Sequence, residues 1–197
     1  MNQSSLLKQV PDENGGVLTP SIADMAGVSK YALRLFIRRN GFIRVGRGIY
    51  WDPDRWDDEL LILHIRCPKI IFSHETALTF HDLTDRIPTA PVVTAVTGYN
   101  TQHLAKDGIK VHTIKKDLFD VGRTEMKTIH GNTVTCYDME RTICDITRNR
   151  STIDTQVYLD AIKWYFRRRD KNLIRLTTYS QLFHVDRILS PYWEVLL

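Results

Sequence analysis

The chain has 197 residues, 43% of them hydrophobic and 25% charged, and no apolar run approaches the ~20 residues that span a bilayer. The formal net charge is +4, and residues 1–50 hold seven Lys or Arg against three acids, while the rest of the chain is balanced. The excess positive charge therefore predicts a polyanionic partner for the first quarter of the chain.

Three short helices are predicted before residue 41. Residues 2–10 form the first, and a tight turn joins the other two. Thr19 is a typical N-cap for the second helix, and Gly27 lies where the backbone must turn sharply. Ser29 is the expected N-cap of the third helix, which Gly41 ends. This pattern predicts a helix-turn-helix.

The third of these helices has two faces. Leu33, Phe36 and Ile37 recur at helical spacing and are expected to face inward. Basic and aromatic side chains fall on the opposite face. A helix fits the major groove, where such side chains contact phosphates or base edges.

Two β-like runs follow, over residues 42–45 and 49–51, and Gly46-Arg47-Gly48 joins them. The glycines allow a tight hairpin with Arg47 at its tip. A cation on a thin loop is typical of a wing that contacts the minor groove or phosphate. We therefore predict a winged helix-turn-helix over residues 1–53, with a structural or protein-docking module as the alternative. The side chains expected to contact DNA are Ser29, Lys30, Tyr31, Arg34, Arg38, Arg39, Arg44 and Arg47.

Residues 54–197 predict a mixed α/β domain with a helical end, so the fold class of the whole chain is α+β. Strands are expected over residues 70–72, 92–97 and 109–114, with a hairpin formed by 120–129 and 133–137. Helices are expected over about 54–66, after an N-cap at Ser73, and over 138–149, 154–169 and 172–197, with Pro191 interrupting the last.

The run over residues 137–148 gathers Glu140, Arg141 and Asp145, for which a functional and a structural interpretation are both open. A structural interpretation explains all of them. Asp138 caps a helix, Glu140 lies in its first turn, and Arg141 and Asp145 pair one turn apart.

The competing interpretation is a small metal-dependent nuclease with a DNA-targeting arm. Glu75 or Asp82 would then add a carboxylate to this run, but the strand-borne D…ExK spacing usual for such sites is absent. The histidines are scattered, and none has the spacing of a zinc site. We expect no metal and no cofactor.

Three cysteines form no Cys-x-x-Cys pair, and the first residues lack the basic-then-apolar pattern of a signal peptide. A cytoplasmic location with reduced thiols is expected. Near the helical end, basic residues predict a secondary DNA contact, with a solvated face as the alternative. These residues are Arg148, Arg150, Lys163, Arg167, Arg168 and Arg169.

Several of these stretches resemble the AbiEi family, the antitoxins of type IV toxin–antitoxin systems first met in abortive phage infection. The resemblance covers nearly the whole chain, including GFIRVGRGIYWDPD and VTAVTGYN. It is most specific in the ERTICD helix and the HDLTDRIP loop.

The resemblance implies a winged helix-turn-helix that binds inverted repeats in its own promoter and represses the operon. It implies that the domain over residues 54–197 counteracts a nucleotidyltransferase-like toxin, and that the chain has no catalytic activity of its own. Glu140, Arg141 and Asp145 are then positions of interest for antitoxin activity as well as for structure. The expected partners are double-stranded operator DNA and that toxin, with direct contact to the toxin left open. We expect a monomer or weak dimer that pairs on DNA.

Overall fold

A computed structural model of the chain describes residues 7, 9, 11, 12, 14–55 and 57–196. Most of the first predicted helix, residues 2–10, lies outside the described residues, although Leu7 and Gln9 are helical. The chain forms an amino-terminal unit, Met1–Pro68 with Lys127–Val134, and a carboxy-terminal unit, Lys69–Met126 with Thr135–Leu197. The functional boundary expected between residues 53 and 54 stays a prediction.

Within its described residues, the amino-terminal unit combines three bounded helices, besides the helical residues near Leu7, with a small antiparallel sheet. The strand order is β1-β3-β2, and both Val17 and Ile43 pair with Trp51 of the central strand. The first strand has only two residues and was not predicted. The elements are β1 Val17–Leu18, α1 Pro20–Met25, α2 Lys30–Arg39, β2 Ile43–Gly46, β3 Ile49–Trp51 and α3 Glu59–Arg66.

Small and aliphatic side chains form the core of this unit. Leu7, Leu18, Ala23, Val28 and Leu33 are all buried there. A small residue such as alanine lets the two short helices approach closely, and burial of each larger aliphatic side chain contributes about 1.5–3 kcal/mol. The core therefore fixes α1 and α2 relative to the three-stranded sheet.

A buried carboxylate organises the start of α3. Asp58 caps the helix by accepting a hydrogen bond from the amide of Leu61 at 3.0 Å, so the helix begins at Glu59 rather than near residue 54. Its other oxygen accepts hydrogen bonds from Thr128 Oγ1 at 2.5 Å and Asn132 Nδ2 at 2.8 Å. These contacts tie the segment Lys127–Val134 to the rest of the amino-terminal unit.

Five strands form the second sheet, in the order β6-β5-β4-β8-β7. Strand β4 pairs antiparallel with β5 and parallel with β8, and β5 pairs parallel with β6. The sheet is therefore mixed, and β6 and β7 lie at its edges. The strands are β4 Ile70–Phe72, β5 Val92–Val96, β6 Lys110–Ile114, β7 Arg123–Lys127 and β8 Thr133–Tyr137.

Seven α-helices complete the described part of the carboxy-terminal unit. Their apolar faces form one core that includes Ile143, Ile146, Tyr165 and Leu176, all at 0% exposure. No helix within the described residues combines the length and apolar composition needed to cross a membrane. The helices are α4 His74–Phe80, α5 Gln102–Lys106, α6 Lys116–Phe119, α7 Met139–Arg148, α8 Thr155–Arg167, α9 Leu173–Leu182 and α10 Asp186–Leu196.

The α+β class is confirmed, but two local predictions are wrong. The last helical region breaks at residues 183–185, where His184 adopts a left-handed φ of 58°, and Pro191 lies inside α10. Ser73 occupies the N-cap position of α4 without capping it, because its hydroxyl is engaged with His74 and Thr94 instead. The short helices α5 and α6 were not predicted.

Candidate nucleic-acid interface

Two capped helices and a glycine turn form the frame of the candidate interface. Thr19 Oγ1 accepts a hydrogen bond from the amide of Ile22, and Ser29 Oγ accepts one from the amide of Ala32, both at 3.2 Å. Gly27 adopts a φ of 73°, which permits the sharp turn between α1 and α2. The two predicted caps and the predicted turn are therefore confirmed.

Helix α2 is amphipathic along its whole length. Leu33 is buried, and Phe36 and Ile37 pack against the same core, as predicted. Tyr31 is 77% exposed on the other side, near the start of the helix. Arg34 and the other basic residues of α2 are also exposed, so the helix presents a polar face to solvent.

The hairpin that follows turns more tightly than predicted. Gly46 belongs to β2 and pairs with Ile49, so that only Arg47 and Gly48 form the loop. Gly48 adopts a φ of 71°, a left-handed conformation typical of two-residue hairpin loops. Arg47 is exposed at this tip. A register shift between Arg44 and Gly46 bulges the strand that leads to it.

All eight side chains predicted to contact DNA are exposed. Six of them are cations, which we call the cationic surface: Lys30, Arg34, Arg38, Arg39, Arg44 and Arg47. Helix α2 contains no acid, and within the described residues no cation of this surface forms an ion pair. Its charge is therefore available to an external anion.

Two exposed apolar side chains of this region were not among the predicted contacts. Met25 ends α1 and is 89% exposed, and Ile43 begins β2 and is 53% exposed. Helical spacing predicts the opposite for Met25, because it follows Ile22 by three positions and would share its inner face. The sequence also did not indicate that Ile43 is exposed, because a side chain of the edge strand β2 can face either side of the sheet.

The six basic residues predicted for a secondary contact do not share one environment. Arg168 forms a two-pronged ion pair with Asp170, at 2.8 and 2.9 Å, and Arg148 lies 3.6 Å from Asp145. These two guanidiniums have internal partners. The remaining four are exposed: Arg150, Lys163, Arg167 and Arg169. Lys163 and Arg167 stand one turn apart on α8.

The predicted ion pair of α7 is present and fully buried. Arg141 Nε donates to Asp145 Oδ2 at 2.9 Å, and the two side chains are 0% and 1% exposed. Arg141 also donates to two backbone carbonyl oxygens, at 2.7 and 2.9 Å. Its guanidinium lies between the rings of Tyr137 and Phe183, 4.0 and 4.2 Å from their centroids. Arg141 therefore links α7 to the segment before β7 through hydrogen bonds, and to Phe183 through a ring contact.

Glu140 also has internal partners. Its Oε1 accepts hydrogen bonds from Tyr165 Oη at 3.1 Å and from the amide of Asn172 at 2.9 Å. The neighbouring Asp138 caps α7, accepting from the amide of Arg141 at 2.8 Å. Burial raises the pKa of Asp138 to about 6, because the charged form loses hydration, and the charge of Glu140 adds to this shift.

The other acids considered for a nuclease have environments of their own. Glu75 pairs with Lys110 at 2.8 Å, and Asp82 is exposed with a left-handed φ of 54°. Across the residues that the structure describes, no three His, Cys, Asp or Glu side chains form a group that could hold a metal ion.

Comparisons with known proteins bear on the fold. No family model and no curated protein matches the chain. The chain is similar to the crystal structure of the RV2827C protein from Mycobacterium tuberculosis, with a TM-score of 0.61 and 12% sequence identity. The match covers 90% of this chain and 70% of that chain. At this identity the likeness concerns the fold alone, and it supports a mixed α+β architecture.

Proposed function

We propose that the chain is a DNA-binding antitoxin that represses its own operon. In this proposal the amino-terminal unit acts as a winged helix-turn-helix, with α2 in the major groove and the β2–β3 hairpin as the wing. The cationic surface carries the proposal, since its six exposed cations have no internal ion pair within the described residues. Such groups can reach phosphates without first breaking an ion pair, although Arg44 Nε donates a hydrogen bond to the backbone oxygen of Gly46 at 3.1 Å.

The antitoxin part of the proposal is supported by the resemblance to the AbiEi family. The carboxy-terminal unit then counteracts a nucleotidyltransferase-like toxin without catalysis of its own or any cofactor. One such DNA-binding module covers a short site, so two cytoplasmic protomers, monomeric or weakly dimeric off DNA, would pair on an inverted repeat of the promoter.

Titration of the full chain against its own promoter DNA at several salt concentrations tests the DNA-binding part. Replacement of Arg34 and Arg38 by Ala should weaken binding and lower the salt slope by about two, roughly one for each lost phosphate contact. Lys106→Ala with Lys116→Ala removes two exposed lysines from the carboxy-terminal unit and should change neither quantity. Unchanged binding by the Arg34 and Arg38 variant would remove α2 from the interface.

A rescue assay tests the antitoxin part. Cells that express the toxin encoded beside this chain should survive when the full chain is co-expressed. Incubation of the purified chain with plasmid DNA and a divalent metal tests the competing nuclease. Metal-dependent cleavage without rescue would replace the antitoxin proposal with the nuclease.

A further inference from the structure

Two histidines from different elements stack in the carboxy-terminal unit. His74 begins α4 and His112 lies in the middle of edge strand β6, with ring centroids 3.7 Å apart and an interplanar angle of 15°. His74 is fully buried and adopts a left-handed φ of 48°, which residues other than glycine rarely do. Surroundings that hold a residue in such a conformation point to a role for it.

The hydrogen bonds of His74 fix its protonation. Asn149 Nδ2 donates to the backbone oxygen of Asp145 at 3.1 Å, which sets the orientation of the amide, and the same Nδ2 lies 2.9 Å from His74 Nε2. That ring nitrogen must therefore accept, and the proton of neutral His74 resides on Nδ1, which donates to Ser73 Oγ at 2.9 Å. A second proton would face the Asn149 donor, so His74 stays neutral.

His112 is the less protected member of the pair. It is half-buried, and its Nε2 is buried with no hydrogen-bond partner among the described residues. Burial and the neighbouring cations lower its pKa, while Glu75 opposes them. The charged groups that face the two rings are Glu75 from α4, Lys110 from β6, and Arg141 and Arg148 from α7.

We propose that His112 is an acid-operated latch on strand β6. Neutral His112 stacks on His74 and holds the strand, which has β5 as its one neighbour in the sheet, against the start of α4. Protonated His112 faces Lys110 and Arg148, and the Glu75 carboxylate is already paired with Lys110 at 2.8 Å. The repelled ring leaves the stack, and β6 opens locally.

The size of the effect follows from proton linkage. Opening exposes His112 to water, where histidine binds a proton with its ordinary pKa of about 6.5. The closed form resists that proton, so the open fraction rises as the pH falls below about 6.5, by at most about tenfold for each pH unit. The latch does not rest on the proposed DNA binding, and it makes the carboxy-terminal unit responsive to acid.

Hydrogen exchange of the full chain between about pH 5 and 7.5 tests the latch, after correction for the intrinsic pH dependence of exchange. Protection of the β6 amides should fall several-fold towards acid, by at most about tenfold for each pH unit below about 6.5, while β4 keeps its protection. His112→Phe retains a ring on His74 and should abolish the fall. An equal fall in the wild type and in this variant, or no fall in the wild type, overturns the proposal.

Two further variants keep the test decisive. His130→Phe changes an exposed histidine in the β7–β8 turn and should retain the wild-type fall. Lys110→Gln releases Glu75 to pair with protonated His112, so the fall should become smaller. If His112→Phe does not fold at neutral pH, an unchanged fall in Lys110→Gln overturns the latch.

Discussion

Helices α2 and α7 make an instructive pair, because they are alike locally and opposite in their surroundings. Each has ten residues and an N-terminus capped by a side chain, Ser29 in one and Asp138 in the other. In α2, Leu33 is buried while the arginines face solvent. In α7, eight consecutive residues are buried, Arg141 among them.

The difference teaches that the environment of an arginine, rather than its presence, indicates its role. A buried guanidinium must be paired and hydrogen-bonded, because an uncompensated charge in the interior is costly. An exposed one has little influence on stability and can bind an external anion. Substitutions in α7 should therefore change stability, and those around α2 should change DNA binding.

Asp145→Ala should have the largest effect. It leaves the buried guanidinium of Arg141 without its carboxylate, which costs about 3–5 kcal/mol of unfolding free energy. Urea unfolding of the full chain measures this loss. Asp120→Ala is the matched control, because its ion pair with Arg123 is exposed and should contribute at most about 1 kcal/mol. Normal stability with lost toxin rescue would instead assign Asp145 to antitoxin function.

Asp138 adds a pH dependence to the same helix. Its folded pKa of about 6 lies above the ordinary 3.8, so its contribution is present below about pH 3.8 and is lost as the pH rises through 6. Relative to Asp138→Asn, the wild type should lose about 2.5 kcal/mol of unfolding free energy between pH 4 and 7. Parallel pH profiles for the two proteins would show that the folded carboxyl titrates normally.

Much of this fold could be predicted because its signals are local. Ser29 and Asp138 are N-caps by residue type, and Gly27 indicates a turn by its tolerance of positive φ. The stack of His74 on His112 could not be predicted, because the two lie far apart in the chain and nothing in either segment indicates a partner. The break at His184 was also not predicted, since one histidine indicates a helix end far more weakly than a glycine does.

In the candidate site, too, local spacing could be predicted from the sequence and side-chain pairing could not. The spacing of Leu33, Phe36 and Ile37 correctly separated the inner face of α2 from its polar face. The internal pairing of Arg168 with Asp170 was not predicted, although the two are close in sequence, because a run of charges gives no information on which side chains meet.

Arg47→Ala tests an exposed arginine of the amino-terminal unit, where we expect a change in DNA binding and not in stability. Arg47 stands at the tip of the β2–β3 hairpin, so its loss should leave the melting temperature unchanged. If it makes a specific contact, promoter binding should weaken by about 1–3 kcal/mol. A fluorescence titration with promoter and unrelated DNA measures both affinities. Intact promoter affinity would place the hairpin away from DNA.

The smallest effect is expected from the exposed cations of α8. Lys163 and Arg167 have no carboxylate partner within the described residues, whereas Arg168 is held by Asp170. We expect the first two to add non-specific phosphate contacts when two protomers occupy an inverted repeat with centres about 34 Å, or a multiple of that, apart. Replacement of Lys163 and Arg167 by Gln should weaken binding to two-repeat DNA by about 0.5 kcal/mol and leave one-repeat binding unchanged.

Arg168→Gln is the control, because its charge is already neutralised by a neighbour. Equal losses on both DNAs would mean that α8 contacts DNA within a single site, and no loss on either would leave its cations as a solvated face.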